Sequence, residues 1–189
     1  MNEVHKKESL TSPSFSLANK VLRVLWICVY VILFRYSPIF AFGWRRGILR
    51  LFGARLHRSV RVYPSCNIWA PWNLTVSENS TIGPKVKLYN QAKVVIGARV
   101  IVSQYAYICA SSHNYNDPLH PLTLHPIRIG ESSWICADAF IGPGADIGAG
   151  SVIGARAVVF KPTEPWGVYV GNPATRVKGR SKEGFLEES

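Results

Sequence analysis

Aliphatic residues recur at every sixth position from Ile129, through Ile135, Ile141, Ile147 and Ile153, to Val159. Gly130, Gly142, Gly148 and Gly154 follow four of them, and the fifth place of the first five units is small: Ser133, Ala139, Ala145, Ser151 and Ala157. A period of six matches neither the helical repeat of about 3.6 nor the strand alternation of about 2. It predicts a parallel β-helix, in which three short strands make each turn of a triangular prism. The aliphatic residue points inward, the small one fits beside a corner, and the glycine is expected to relieve the backbone at the bend.

The pattern extends backwards with interruptions. Ile96, Val102 and Ile108 form one set of three, and Val76, Ile82, Leu88 and Val94 precede it. Val62, Ile68 and Leu74 begin the series, with Trp72 in a place that is small elsewhere. Two-residue slips at Leu74/Val76 and Val94/Ile96 read as longer corners. Ile129 follows Ile108 by 21 positions, three more than a whole coil of eighteen, so the segment Ser111 to Pro126 is expected to leave the prism. The chain is therefore expected to be all-β: a helical N-terminal segment over 1–61, about five coils over 62–160 with a protruding loop 111–126, and a C-terminal loop and tail over 161–189.

Charge divides the chain differently. The net charge is +11, yet residues 1–61 hold eleven Lys and Arg against Glu3 and Glu8, and the remainder holds eleven against nine acids. The basic character belongs to the N-terminal segment. There the apolar run Val24 to Phe34 is only eleven residues, bounded by Arg23 and Arg35, which is too short to span a bilayer. Pro38 limits a single helix, six arginines follow from Arg45 to Arg61, and Trp26, Tyr30, Tyr36 and Trp44 are residues favoured at membrane interfaces. Two readings remain open. The segment caps the open strand edges of the prism, or it is a basic interfacial anchor on an anionic membrane. No nucleic-acid reading motif accompanies the arginines. Cys28, Cys66, Cys109 and Cys136 form no C-x-x-C pair and read as reduced structural thiols of a cytoplasmic protein. The polar first twenty residues do not resemble a signal peptide, so the sequons at Asn73 and Asn79 read as accidental.

Chemistry concentrates in two places. His113 lies where the chain leaves the prism, and a histidine suits general-base work because its unperturbed pKa is near neutrality. A regular wall interrupted by a loop points to a purpose for that loop. After the last coil come Lys161-Pro162, the turn Gly171-Asn172-Pro173-Ala174, and then Arg176, Lys178 and Arg180, cations that could meet phosphates. A three-histidine zinc site from His113, His120 and His125 is disfavoured, because the last two sit before prolines in a loop rather than on regular strands.

These residues together resemble the hexapeptide-repeat acyltransferases with a left-handed β-helix, and among them the colanic-acid-type exopolysaccharide O-acetyltransferases. The likeness runs from about Phe15 to Arg180. It rests on Gly43-Trp44-Arg45-Arg46, Leu51-Phe52-Gly53-Ala54, Ile68-Trp69-Ala70-Pro71-Trp72-Asn73-Leu74, Ser103-Gln104-Tyr105-Ala106-Tyr107, Ser112-His113-Asn114-Tyr115 and Gly171-Asn172-Pro173-Ala174. The resemblance implies acetyl-CoA as acyl donor, no metal, a sugar or lipid-linked oligosaccharide acceptor, and a homotrimer. It implies that His113 deprotonates the acceptor hydroxyl for direct attack on the thioester, with no acyl-enzyme. Tyr89, Asn90, Asn114 and Tyr115 would lie on the acceptor side; Asn90 stands where related enzymes carry an acid, which leaves the acceptor open. Trp134, Ala137 and Ala155 would line the pantetheine arm, and Lys161, Arg176 and Lys178 would meet the phosphates of CoA. Trp134 and Phe140, both in outward sixth places, would be covered by a neighbouring subunit or by the donor. Rival readings are a free sugar, amino sugar or antibiotic as acceptor, a γ-class carbonic anhydrase-like zinc protein, and a non-catalytic trimeric scaffold. The expected location is cytoplasmic, with the inner face of the membrane as the surface an anchor would contact.

Overall fold

Three columns of inward aliphatic side chains form the axis of the molecule. In the computed structural model, which describes residues 15–185, each coil contributes one strand to each of three parallel sheets. The first face comprises Arg55–Leu56, Leu74–Val76, Val94–Ile96, Ile127–Ile129 and Asp146–Ile147. The second comprises Arg61–Val62, Thr81–Ile82, Ile101–Val102, Trp134–Ile135 and Val152–Ile153, and the third Asn67–Ile68, Lys87–Tyr89, Tyr107–Cys109, Phe140–Ile141 and Val158–Val159. Register places Leu56, Val76, Ile96, Ile129 and Ile147 in one buried column. Ile68, Leu88, Ile108, Ile141 and Val159 form another on the third face. Burying each such side chain stabilises the fold by about 1.5–3 kcal/mol.

The parallel β-helix expected from the repeat is thus present, five coils deep, with three differences in detail. The first coil opens at Arg55 rather than at 62, because Leu56 already takes the inward place six residues before Val62. The slips at Leu74/Val76 and Val94/Ile96 are not longer corners: these strands have three residues and turn both ends inward. The second-place glycines do not make the bend. A Cβ on Gly130 would stand 2.5 Å from the Ala149 nitrogen of the next coil, so glycine there permits coils to approach. The bend itself falls at the fourth place, where Ser132, Asp138, Gly144, Gly150 and Arg156 all have φ between 57° and 76°.

Both ends are closed. At the C-terminal end Gly167–Val170 adds a parallel strand to the second face, and Thr175–Gly179 pairs antiparallel with it. At the N-terminal end a helix, α1 (Leu17–Val29), runs on through a π-helical turn to Phe34, and a second, α2 (Phe42–Leu51), follows. Ser16 caps α1 by accepting from the Asn19 N–H. Trp26, Phe34, Ile48 and Leu49 pack onto the first coil. The first fourteen residues of the expected N-terminal segment and the last four of the tail lie outside the described residues.

Arg45 of α2 fastens the helices to the prism. It is wholly buried; its Nε donates to the Val62 carbonyl at 2.6 Å, Nη1 to Pro38 O at 2.7 Å and to Ser37 Oγ at 2.9 Å, and Nη2 to Ile39 O. Burial and the neighbouring Arg46 lower its pKa, so the ring of carbonyl dipoles is what keeps the charge tolerable. Replacing Arg45 with Met removes the donors and strands those carbonyls, a cost of roughly 3 kcal/mol. The melting temperature is expected to fall by roughly 5–10 °C; an unchanged melt would show that Arg45 does not hold the two parts together.

Candidate active site

After the third coil the chain leaves the corner between the third and first faces as a hairpin, Ser111–His113 paired antiparallel with Leu122–Leu124. Its turn is built from within. Asn114 Oδ1 accepts from Asn116 N at 3.1 Å, Asp117 Oδ1 accepts from Leu119 N at 2.9 Å, and Asn114 N donates to Pro121 O at 3.0 Å. His125 N returns the chain to the prism by donating to Ala110 O at 2.9 Å. The loop is therefore an ordered platform rather than a loose tether.

His113 sits exposed on the strand of this hairpin, with its Nδ1 2.6 Å from the carbonyl oxygen of His120. A carbonyl only accepts, so Nδ1 must carry the proton, and in the neutral ring the lone pair is on Nε2. A side chain fixed in one tautomer, with the free nitrogen facing solvent, can accept a proton from a hydroxyl. His120 entered the sequence reading only as a candidate metal ligand. Its backbone oxygen is what matters here, and no side-chain pattern could have announced it. Among the described residues no group of three His, Cys, Asp or Glu side chains converges as a metal site.

The same edge of the prism carries the acceptor-side candidates, one coil nearer the helices. Tyr89 ends the third-face strand of the second coil, is 37% exposed, and its hydroxyl accepts from Gln91 Nε2. Asn90 is a correction: it is fully buried, its Nδ2 donates to Ala70 O at 2.6 Å and its Oδ1 accepts from Ala70 N at 3.0 Å. The amide is paired inside the wall at both its nitrogen and its oxygen and has no exposed surface, so it does not face the space outside the prism. Asn114 spends its oxygen on the turn, while Tyr115 beside it is 81% exposed. Tyr107, above Tyr89, has its hydroxyl pKa pushed up to about 12 by burial and by Cys109, and stays protonated at neutral pH.

The donor-side candidates gather elsewhere. Register puts Trp134, Val152, Val168 and Lys178 in one outward column of the second face. The Trp134 ring is exposed on it and held by an Nε1–H bond to Ser103 Oγ at 2.9 Å. Ala137 and Ala155 lie in stacked turns at the next corner, joined by Arg156 N donating to Ala137 O and by the Arg156–Asp138 ion pair at 3.7 Å. Lys161 lines a cavity of about 430 Å³ with Phe160, Tyr169, Pro173 and Ala174 at the C-terminal end. Arg176 pairs with Glu164 at 3.6 Å, which partly neutralises it. Arg180 is structural, donating to the carbonyls of Ser132 and Gly150.

In one chain, then, two groups form and stay apart. A triangular section sets the His113 corner, between the third and first faces, across the prism from the second face that bears Trp134 and Lys178. Within one chain the His113 corner and the Trp134 column therefore face different directions.

Comparison with known proteins agrees with this architecture. The family described as bacterial transferase hexapeptide (six repeats) matches residues 126–161. A protein of Escherichia coli K12 whose name provisionally assigns it to colanic acid biosynthesis as the acetyltransferase WcaF is 38% identical over 166 residues, 88% of this chain and 91% of that protein. Among solved structures, a maltose O-acetyltransferase of Clostridium difficile 630 superposes with a TM-score of 0.78 at 25% identity, covering 88% of this chain and 90% of that one. A hexapeptide-repeat acetyltransferase of Vibrio cholerae O1 biovar eltor in complex with acetyl-CoA gives 0.79 at 23% identity, covering 89% and 92%, and shares the fold.

The buried amide separates two roles for Asn90. Asn90→Ala leaves both polar groups of Ala70 unpaired and is expected to lower unfolding stability by about 2 kcal/mol in a urea titration. An acceptor-binding residue would leave the unfolding midpoint where it was.

Proposed function

The chain belongs to the hexapeptide-repeat family of bacterial acetyltransferases, and from that premise we propose that it moves an acetyl group from acetyl-CoA to a sugar hydroxyl in colanic-acid-like exopolysaccharide assembly, with His113 as general base. The observation that carries this reading is the 2.6 Å bond from His113 Nδ1–H to the His120 carbonyl, which leaves Nε2 free to accept. Nε2 takes the hydroxyl proton as the sugar oxygen attacks the thioester carbonyl carbon. The C–O bond forms, the C–S bond breaks, and the imidazolium returns its proton to the departing thiolate. The His120 oxygen stabilises the imidazolium through the same hydrogen bond while it exists. Tyr89 and Tyr115 flank the space the acceptor enters.

The second face fits the donor. Trp134 offers an apolar surface for a pantetheine arm, and Ala137 and Ala155 offer backbone without bulk. Lys178, three strand spacings or about 14 Å further along the column, and Lys161 at the prism end supply cations for phosphates. Because base and donor wall occupy opposite sides of one prism, the active unit is a homotrimer with each site shared between neighbours. The protein works on the cytoplasmic side of the membrane, with peripheral contact through its basic N-terminal segment.

His113→Ala is expected to lower kcat by about 10²–10⁴-fold while calorimetry shows an unchanged affinity for acetyl-CoA. Near-wild-type turnover of the purified variant would remove His113 from the reaction. Lys161→Ala should raise the KM for acetyl-CoA more than it changes kcat, since phosphate contacts are remote from the transferring acetyl group. Equal CoA affinity in variant and wild type would exclude Lys161 from the donor site.

A further inference from the structure

We propose that the N-terminal end of the prism is a membrane-docking face lying flat in the lipid interface, and that it selects a lipid-anchored oligosaccharide as acceptor; the second half rests on His113 being the base. The continuous helical stretch Leu17–Phe34 has a mean hydropathy of 1.9 and only 11% of it is buried. Trp26 and Phe34 are the residues it sinks into the prism. The side turned away presents Val21, Val24, Leu25 and Ile32, the last 71% exposed, and the following turn adds Ile39 and Phe40. A helix on a water-facing surface shows a polar face outward; this one shows aliphatic residues over a continuous patch, which marks an interaction surface.

Charge identifies the occupant. From residue 15 to residue 77 the chain has nine Lys and Arg and no Asp or Glu, the first acid being Glu78 in the second coil. Lys20, Arg35, Arg50 and Arg58 are exposed around the apolar patch. Such a rim complements anionic headgroups. A second copy of this chain would bring like charges together with no acid among residues 15–77 to pair them, which disfavours self-association through this face.

The helix lies across the prism end rather than crossing the bilayer. Eighteen residues would extend about 27 Å, close to the roughly 30 Å of the hydrocarbon core, yet the rod is tied to the first coil along its length. The Arg23 guanidinium stacks 3.8 Å from the Trp69 ring, and Trp26 Nε1 donates to Ile68 O at 2.7 Å. Near its far end, Leu33 O accepts from Trp44 Nε1 at 2.8 Å, which binds the rod to α2. Both helices are anchored to the first coil, through Ile68, Val62, Val60 and Leu56, so the lipid plane is set across the prism axis. The His113 hairpin leaves at the third coil. Two coil spacings of about 4.8 Å and one helix layer of about 10 Å put it roughly 20 Å above the lipid. A sugar joined directly to a lipid headgroup stays below that height, whereas an outer residue of a lipid-anchored oligosaccharide reaches it.

The test uses the full-length protein and the double variant Val24→Glu/Ile32→Glu, whose exposed positions leave the core intact. Flotation is measured with phosphatidylcholine vesicles, with and without phosphatidylglycerol, at low and high salt. Wild type is expected to float only with the anionic lipid and to be released by salt. The variant should lose on the order of 100-fold in vesicle affinity, from two aliphatic burials forgone, while its acetyl-CoA affinity stays constant. Wild type remaining soluble with anionic vesicles at low salt would overturn the docking face. So would binding that resists salt and alkaline extraction, the mark of a spanning helix, or self-association that the double variant abolishes, the mark of a second copy. Flotation without acetyl-CoA binding would overturn the enzymatic reading and leave the docking face standing. With source-cell membranes and acetyl-labelled acetyl-CoA, label should enter the organic-extractable glycolipid and vanish in His113→Ala; label confined to soluble sugars would overturn the acceptor class.

Discussion

Everything else in this molecule hangs on the vertical stacking of coils at strand-pair spacing. Inward aliphatic columns supply the apolar burial, and each coil hydrogen-bonds the next, as Gly97 N to Ile129 O and Gly130 N to Ile147 O do at 2.8 and 2.7 Å. The corners are satisfied in the same direction: Ser80, Ser133 and Ser151 each donate a hydroxyl to a carbonyl of the adjoining turn. Holding Ser132, Asp138 and Arg156 in the left-handed region costs about 1–2 kcal/mol each. The ladder offsets that cost because the bend recurs in register and every coil supports the next.

That regularity turns one-dimensional spacing into the placement of chemistry. A residue's place within its six-residue unit decides whether it faces in, faces out or makes a corner, and its unit decides which face and which height. Trp134 and Val152 share a column for this reason, although 18 positions separate them in the chain. The interruption matters as much as the repeat. Because the wall is rigid, the Ser111–Leu124 hairpin that leaves it is held at a fixed corner and height, and the His113 ring is oriented by a carbonyl of its own loop. Rigidity also explains why His113 and Trp134 of one chain stay apart: a prism cannot fold back on itself.

The sequence made the core legible because period, inward residue and small corner residue are all side-chain properties. The excursion at 111–126 was equally legible, as a break in count. Other features needed coordinates. Leu56 was hidden because Arg55 and the residues around it read as part of a basic helical segment. Asn90 was assigned to the acceptor side by the resemblance, since related enzymes carry an acid there; its pairing with Ala70 depends on the preceding coil. Glycine at the second place suggested a bend, whereas its work is to admit the neighbouring backbone. The N-terminal apolar surface was underestimated because Arg23 cut the uninterrupted run. In the folded chain Arg23 turns inward onto Trp69, so the outward stripe continues past it.

The central claim is that His113 of one chain meets the thioester held on the second face of a neighbour. The most direct measurement is an experimental structure of the protein with acetyl-CoA bound. The account predicts a trimer in which the pantetheine arm crosses the Trp134 ring, the phosphates reach Lys161 or Lys178, and the thioester carbon lies one hydroxyl away from the neighbouring chain's His113 Nε2. A thioester resting away from every His113, or contained wholly within one chain, would contradict it.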